Sequence, residues 1–180
     1  MPKRKRVLVA MSGGVDSSVT AYLLTQQGHD CMGVTMLLHD GADAAGTTGA
    51  CGSSRDADDA ASVAHGLGFP HQVIDMRATF ERSVVEKFVR TYEDGRTPNP
   101  CIDCNRYLKF GTLLDYALEQ GCDFVATGHY ARIGRRQAAE GAPGAWTLEK
   151  GIDAAKDQSY VLYSLTQERL AHVLLPLGAL

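Results

Sequence analysis

The sequence predicts an α/β domain built on a doubly wound, mainly parallel sheet. Three observations predict it. Short apolar runs alternate with helix-length patterns along the chain. The first run, Val7-Leu8-Val9-Ala10-Met11, leads directly into a glycine turn and then a helical pattern. The order β-α-β-α-β-α-α-β is that of crossovers between parallel strands.

Each element has a local reason. Residues 6–11 form an apolar run too short for a helix and are expected as the first strand. Helical spacing then fills 17–27, and 31–37 is the second strand. A helix at 54–67, a strand at 71–75, helices at 79–92 and 105–120, a strand at 123–127 and a helix at 167–174 follow. The segment 40–50, rich in Gly, Ala and Thr, is expected as a loop. Pro98 and Pro100 remove two donors and hold Thr97 and Asn99 extended, so 95–103 reads as a stiff loop. Residues 131–135 and 145–149 read as a hairpin inserted near 130–150 around a Gly/Pro turn. Ligands in such sheets bind beyond the carboxyl ends of the strands. The glycine turn, Met36 near the end of the second strand and Gly128-His129 after the fourth are therefore expected on one rim.

Composition narrows the function. A chain of 180 residues, 44% hydrophobic and 22% charged, has the core of one ordinary domain. A net charge of −3 argues against a protein that coats nucleic acid over its whole surface, and leaves room for a local basic patch. No apolar run approaches the ~20 residues of a membrane span. Lys3, Arg4, Lys5 and Arg6 read as a solvated leader to the first strand. Five cysteines, odd in number and irregular in spacing, are no disulfide framework and fit a reducing, cytoplasmic setting.

The stretch Ser12-Gly13-Gly14-Val15-Asp16-Ser17-Ser18 carries the chemistry. Glycines let backbone approach a phosphate, and the helix that follows aims unpaired N–H groups at it. Ser17 and Ser18 are expected to add hydroxyl donors. The pattern is neither a Walker A loop nor a dinucleotide fingerprint. It resembles the pyrophosphate loop of the ATP pyrophosphatases, which cleave ATP between its α and β phosphates. The bland alternative is a glycine turn capped by Asp16 or Ser17.

The second constellation is Asn99-Pro100-Cys101-Ile102-Asp103-Cys104-Asn105. A Cys-x-x-Cys pair can ligate a metal, cycle as a dithiol, or supply one activated nucleophile. No second pair accompanies it, which argues against structural zinc. With the helix expected from Asn105, and Arg106 and Lys109 near in sequence, Cys104 is the better nucleophile and Cys101 a loop contact. The alternative is two half-buried loop cysteines without chemistry. His129 is balanced between reaching a phosphate or base and satisfying a loop carbonyl. Cys31, Cys51 and Cys122 read as packing residues, and Trp146 as cover for the hairpin.

Taken together, the chain resembles the tRNA-specific 2-thiouridylases of the MnmA type. The resemblance rests on 11–18, Thr97-Pro98-Asn99-Pro100-Cys101 through Cys104-Asn105, Leu108-Lys109-Phe110-Gly111, Ala126-Thr127-Gly128-His129-Tyr130-Ala131 and Lys156-Asp157-Gln158-Ser159-Tyr160. The stretch from Asp56 to Ala64 with Leu67-Gly68 also fits. It implies the adenine-nucleotide α-hydrolase-like fold, with 1–180 as the catalytic domain. It implies ATP as co-substrate, with Mg2+ expected and no metal held by the protein alone. Ala10, Met11, Ser12, Gly13, Gly14, Val15, Asp16 and Ser17 would hold the phosphates. Met36 would meet the adenine through its backbone, and Gly128 would line the nucleotide site. Asn99, Pro100 and Cys101 would contact the target base, Cys104 would be the nucleophile, and Lys156, Asp157 and Gln158 would contact tRNA. A protein carrying a persulfide would be the other partner, and no membrane is involved. The family's second catalytic cysteine is expected beyond Lys-Asp-Gln-Ser-Tyr, yet no cysteine follows Cys122. Its tRNA-binding and β-barrel regions are likewise expected to be absent from this chain.

Three rivals remain. An iron–sulfur thiolase would use Cys51 with Cys101 and Cys104 as cluster ligands. A different ATP pyrophosphatase, of the amidotransferase-synthetase or argininosuccinate-ligase sort, would not need the cysteine loop. An ATP-binding sensor module would retain nucleotide without releasing pyrophosphate.

Overall fold

In the computed structural model, residues 4–39, 52–137 and 144–180 are described. A parallel five-stranded sheet runs through the molecule in the order β3-β2-β1-β4-β7. Its strands are β1 (Arg6–Ala10), β2 (Asp30–Leu37), β3 (His71–Asp75), β4 (Phe124–Ala126) and β7 (Val173–Leu174). A separate antiparallel pair, β5 (Ala131–Arg136) and β6 (Ala145–Lys150), forms the expected hairpin. The tip of that hairpin and the 40–50 segment lie outside the described residues.

Side chains of β1 alternate between two cores, as a strand's period of two requires. Leu8 faces one layer with Val34, Met36, Val84, Leu108, Leu113 and Leu114. Val7 and Val9 face the other, with Ala21 and Leu24 of α1 (Val15–Gln26) and Ala60 and Ala64 of α2 (Ser54–Gly66). Both faces are covered by helices, which is why β1 reads as a continuous apolar run. A third cluster, with Phe110, Ala131, Val161 and Leu162, ties the hairpin to the main body.

The order in which strands are added reverses at β1, which pairs with β2 on one side and β4 on the other. The glycine turn leaves β1 at that point, where a crevice opens in doubly wound sheets.

Two elements differ from the expectation. Residues 167–174 are not one helix. Gln167–Leu170 is helical, and Val173–Leu174 then turns into the edge strand beside β4. The ladder to β4 satisfies backbone groups that a helix continuing into Pro176 would strain. The second difference concerns the cysteines. The helix begins at Pro100, not Asn105: Asn99 caps it by accepting the Cys101 N–H, and Pro100 occupies the first position. Proline is suited to that position because its missing N–H would be unpaired there. The helix runs as Pro100–Asp103, a π-wound stretch Cys104–Thr112, and Leu113–Glu119. The 77–93 helix beside it also contains a π turn, Glu81–Val85.

Candidate functional site

A cleft of about 530 Å³ opens beyond the carboxyl ends of β1, β2 and β4. Its polar wall is the glycine loop, through Ser12, Asp16 and Ser17, with Gly128 behind it. Its opposite wall is the cysteine helix, through Pro100, Cys101, Cys104 and Lys109. Between them lies an apolar floor of Val34, Met36, Leu38, Phe80 and Val84.

The glycine loop is shaped by close backbone packing. Gly13 has φ +72°, and a Cβ there would stand 2.6 Å from the Asp56 carbonyl oxygen. Gly13 therefore seats the loop on the start of α2, which a capping box between Ser53 and Asp56 fixes. Gly14 is the N-cap of α1 and offers no side chain to its orphan donors. The hydroxyls of Ser17 and Ser18 differ from the expectation. Both donate to the Gly14 carbonyl, at 3.0 and 2.9 Å, and Ser17 Oγ also accepts the Ser12 N–H. Their bonds brace the turn, so an anion here meets chiefly backbone N–H groups and the helix N-terminus. Val15 is 77% exposed and turned from the cleft; Gly13 and Gly14 shape the loop without lining the cavity.

Gly128 brings β4 against this loop. A Cβ there would stand 2.9 Å from the Asp16 carbonyl carbon and 3.0 Å from Ser17 N. Met36 reaches the cleft for a reason of register. Val34 O accepts the Met11 N–H, and backbone groups two residues on point the same way, past the end of β1. The Met36 backbone therefore faces the opening that β1 leaves. Thr35 locks the neighbouring turn: its hydroxyl donates to Met11 O at 2.8 Å and pairs with His71 Nε2 at 2.9 Å. The Thr35 proton goes to Met11 O, so His71 Nε2 is the donor to that hydroxyl, and burial pushes the His71 imidazole below its ordinary value.

Cys101 and Cys104 lie one turn apart on the cysteine helix and both border the cleft. Cys104 is one turn inside the helix rather than at its start, and its N–H bonds back to the first turn. The π winding has a consequence that spacing arguments for an α-helix miss. Bonding from i to i+5 sets residues five apart nearly one above the other, so Lys109 shares the cleft-facing side with Cys104. Behind this face Asp103 is buried and takes Lys87 Nζ at 2.6 Å, pinning the helix to its neighbour. Asn105 Nδ2 donates to Val161 O, which ties the same helix to the segment after Gln158. Asn99 caps the helix and stands outside the cleft lining.

His129 lines the cleft and is buried, with Nδ1 2.7 Å from Thr127 Oγ1 and its ring 6.0 Å from that of Phe110. Burial, with the Lys109 charge behind it, holds its imidazole down at about 3. It is neutral at physiological pH. Nδ1 is satisfied by Thr127, so the ring's other nitrogen is the one left to a ligand.

Of the three residues 156–158, two are turned inward. Asp157 accepts the Gly151 and Ser159 N–H groups and the Ser159 hydroxyl, and these bonds, the Gly151 bond first, hold its carboxyl below the usual range. Gln158 Oε1 accepts the Tyr130 N–H. Lys156 keeps its head group exposed. Cys31 and Cys122 are buried, and burial raises both thiols, as suits packing residues. Cys51 lies outside the described residues. Among the described residues no group of three His, Cys, Asp or Glu side chains could hold a metal ion, and no helix is long and apolar enough to cross a membrane.

The family model for the tRNA methyl transferase HUP domain matches residues 5–180. The chain belongs to that family. Similar members are tRNA-specific 2-thiouridylases MnmA from Symbiobacterium thermophilum and Desulforamulus reducens. The first is 50% identical, over 99% of this chain and 46% of that protein. The second is 51% identical, over 99% of this chain and 48% of that protein. This HUP-domain chain thus spans about half the length of the curated relatives it matches. The crystal structure of a predicted subunit of tRNA methyltransferase from Methanocaldococcus jannaschii has the same fold. It aligns with a TM-score of 0.52 over 96% of this chain and 68% of that one, at 18% identity. The loop, the sheet order and the HUP domain agree on a pyrophosphate-loop α/β fold.

Sequence reasoning missed Thr35, Phe80, Val84 and Leu38 as cleft residues. Phe80 and Val84 come from the 77–93 helix, whose approach to β1 is tertiary and leaves no local mark. Lys109 is in sequence reach of Cys104, but only the π winding makes them share a face.

Proposed function

We propose that this chain is the ATP-using part of a tRNA 2-thiouridylase, with residues 1–180 as its catalytic domain. The observation that carries the reading is that the glycine loop and Cys104 line one and the same cleft. The curated relatives' names support the substrate class. The apolar floor and the open Met36 backbone suit an adenine, and the glycine loop suits its phosphates. Asp16, the carboxylate at the polar end, would be the residue to hold a Mg2+ that accompanies the nucleotide. That ion, when bound, offsets charge on the polyphosphate.

In this reading the wobble uridine is turned out of its stack to enter the cleft. Pro100 and Cys101 border its path, and Asn99 sets them by capping the helix. The uridine 2-oxygen attacks the α-phosphorus; the bond to the bridging oxygen breaks and pyrophosphate leaves. C2 then carries a good leaving group. The terminal sulfur of a protein persulfide attacks C2 and AMP leaves; the Cys104 thiolate then attacks the carrier's own sulfur, the S–S bond breaks, 2-thiouridine is released and a disulfide between Cys104 and the carrier remains. In the other order Cys104 attacks first, the same disulfide forms, and the freed sulfide displaces AMP at C2. In this reading the persulfide is brought by a separate carrier protein. The 156–158 loop borders the mouth through which tRNA enters.

The test is mass spectrometry of tRNA nucleosides from cells lacking the gene, rescued with the wild-type protein or with Cys104→Ser. Wobble 2-thiouridine is expected to vanish on deletion and to return only with the wild type. Its persistence in the deletion strain, or its return with Cys104→Ser, overturns the reading.

A further inference from the structure

Beside the main cleft lies a second recess of about 400 Å³, lined by Asp16, Tyr130, Lys156, Asp157, Gln158 and Tyr160. Asp16 and Gln158 line both cavities, so the recess continues the polar end of the nucleotide cleft. A hydrogen-bonded chain crosses it. Tyr130 OH donates to Asp16 Oδ1 at 3.1 Å, and Lys156 Nζ donates to the same hydroxyl at 3.4 Å. The ammonium also lies 4.9 Å from the centre of the Tyr130 ring.

The loop that carries Lys156 is held tightly. Gln158 N–H donates to Tyr130 O, Gln158 Oε1 accepts the Tyr130 N–H, and Asp157 closes the turn onto Gly151. With Asp157 and Gln158 committed to that framework, Lys156 alone presents an ionic head group. It leans toward Asp16 yet forms no ion pair with a carboxylate among the described residues. An ammonium over the Tyr130 ring and hydroxyl, with no carboxylate paired to it among the described residues, is placed to meet an anion. The glycine loop presents its own donors on the other side of Asp16.

We propose that Lys156 is a polyphosphate-binding residue: its ammonium takes the β- and γ-phosphates of ATP, and Tyr130 positions Asp16 beside them. This rests on the ATP reading above and assigns the ammonium to nucleotide phosphate. Backbone phosphate of tRNA offers the same chemistry, and the test separates the two.

The protein containing this chain is titrated with α,β-methylene ATP and, separately, with AMP, both with Mg2+ and without tRNA, and then with tRNA in the absence of nucleotide. Lys156→Met is expected to weaken the ATP analogue about tenfold, the worth of one charge-assisted contact, and to leave AMP within about twofold. Lys156→Arg should restore most of the loss. Tyr130→Phe, which removes only the hydroxyl, should raise the Mg2+ needed for half-saturation with the ATP analogue and leave AMP unchanged. If Lys156→Met binds the analogue like the wild type, the inference fails; a loss confined to tRNA affinity would assign the ammonium to the tRNA backbone. If the wild type binds neither nucleotide, the ATP reading itself falls, and that result is distinct from a normal wild type beside a normal variant.

Discussion

The two walls of the cleft are made of different material. The glycine-loop wall is mostly backbone: Gly13 on Asp56, Gly128 on Asp16, and N–H groups at the start of α1. The cysteine wall is mostly side chain, with Cys101, Cys104 and Lys109 projecting from one helix. A backbone wall responds to added volume, because nothing can move aside. A side-chain wall responds to changed chemistry and tolerates changed shape.

The largest effect should separate the walls cleanly. Cys104→Ser is expected to reduce thiolation by roughly a thousandfold or more. ATP binding should stay near wild type. Single-turnover formation of 2-thiouridine, beside nucleotide titration, checks both. If Cys104→Ser also lost ATP, the walls would not be independent.

Gly128→Ala tests the backbone wall. The new methyl meets Asp16 and Ser17 at or below 3.0 Å, so the loop must shift. ATP affinity is expected to fall at least about tenfold, with a stability loss of about 1–3 kcal/mol. Equilibrium nucleotide binding and urea denaturation read the two quantities. Unchanged affinity would mean that the loop is softer than its packing implies.

A smaller effect should come from behind the cysteine wall. Lys87→Met leaves the buried Asp103 carboxylate without its cation. Lys87 is half exposed, which limits the expected stability loss to about 1 kcal/mol at pH 7. Thiolation should fall while ATP binding holds, since the pin touches only the helix.

The effect smallest at neutral pH grows only on acidification. Burial holds His129 at about 3, below the ~6.5 of an unfolded histidine. A depressed imidazole stabilises the fold fully above about pH 6.5, and that contribution is lost as pH falls from there toward 3. His129→Gln should flatten stability against pH in that window, by at most about 1.4 kcal/mol per unit. His71, also depressed by burial, would keep its own contribution. Urea midpoints at pH 7, 6 and 5 give the comparison.

The same contrast governs how much of the molecule was legible in its residues. Glycine turn, flanking strand and helix are local, and 6–11, 31–37, 71–75 and 123–127 all fell on strands of the sheet. The cysteine helix was misjudged at its start because Pro98 and Pro100 look like breakers, whereas Asn99-Pro100 is a cap followed by a first-turn proline. Val173–Leu174 could not be read as a strand because two residues carry no period, and only pairing with β4 defines them. The roles of Asp157 and Gln158 were hidden for another reason. Their partners, Gly151 and Tyr130, are assembled by the hairpin's return.

The π-wound stretch Cys104–Thr112 also works as an indexing device. Leu113 and Leu114 are fully buried and fix the far half of the helix against the sheet. The rotational phase of the near half is therefore set by how many residues the wide turns absorb. Rewinding the stretch as an α-helix with its residue count unchanged would swing Pro100–Cys104 around the axis against that anchor, because each α turn takes fewer residues. A change of winding alone, with every side chain of the cleft intact, would carry both thiols away from the nucleotide.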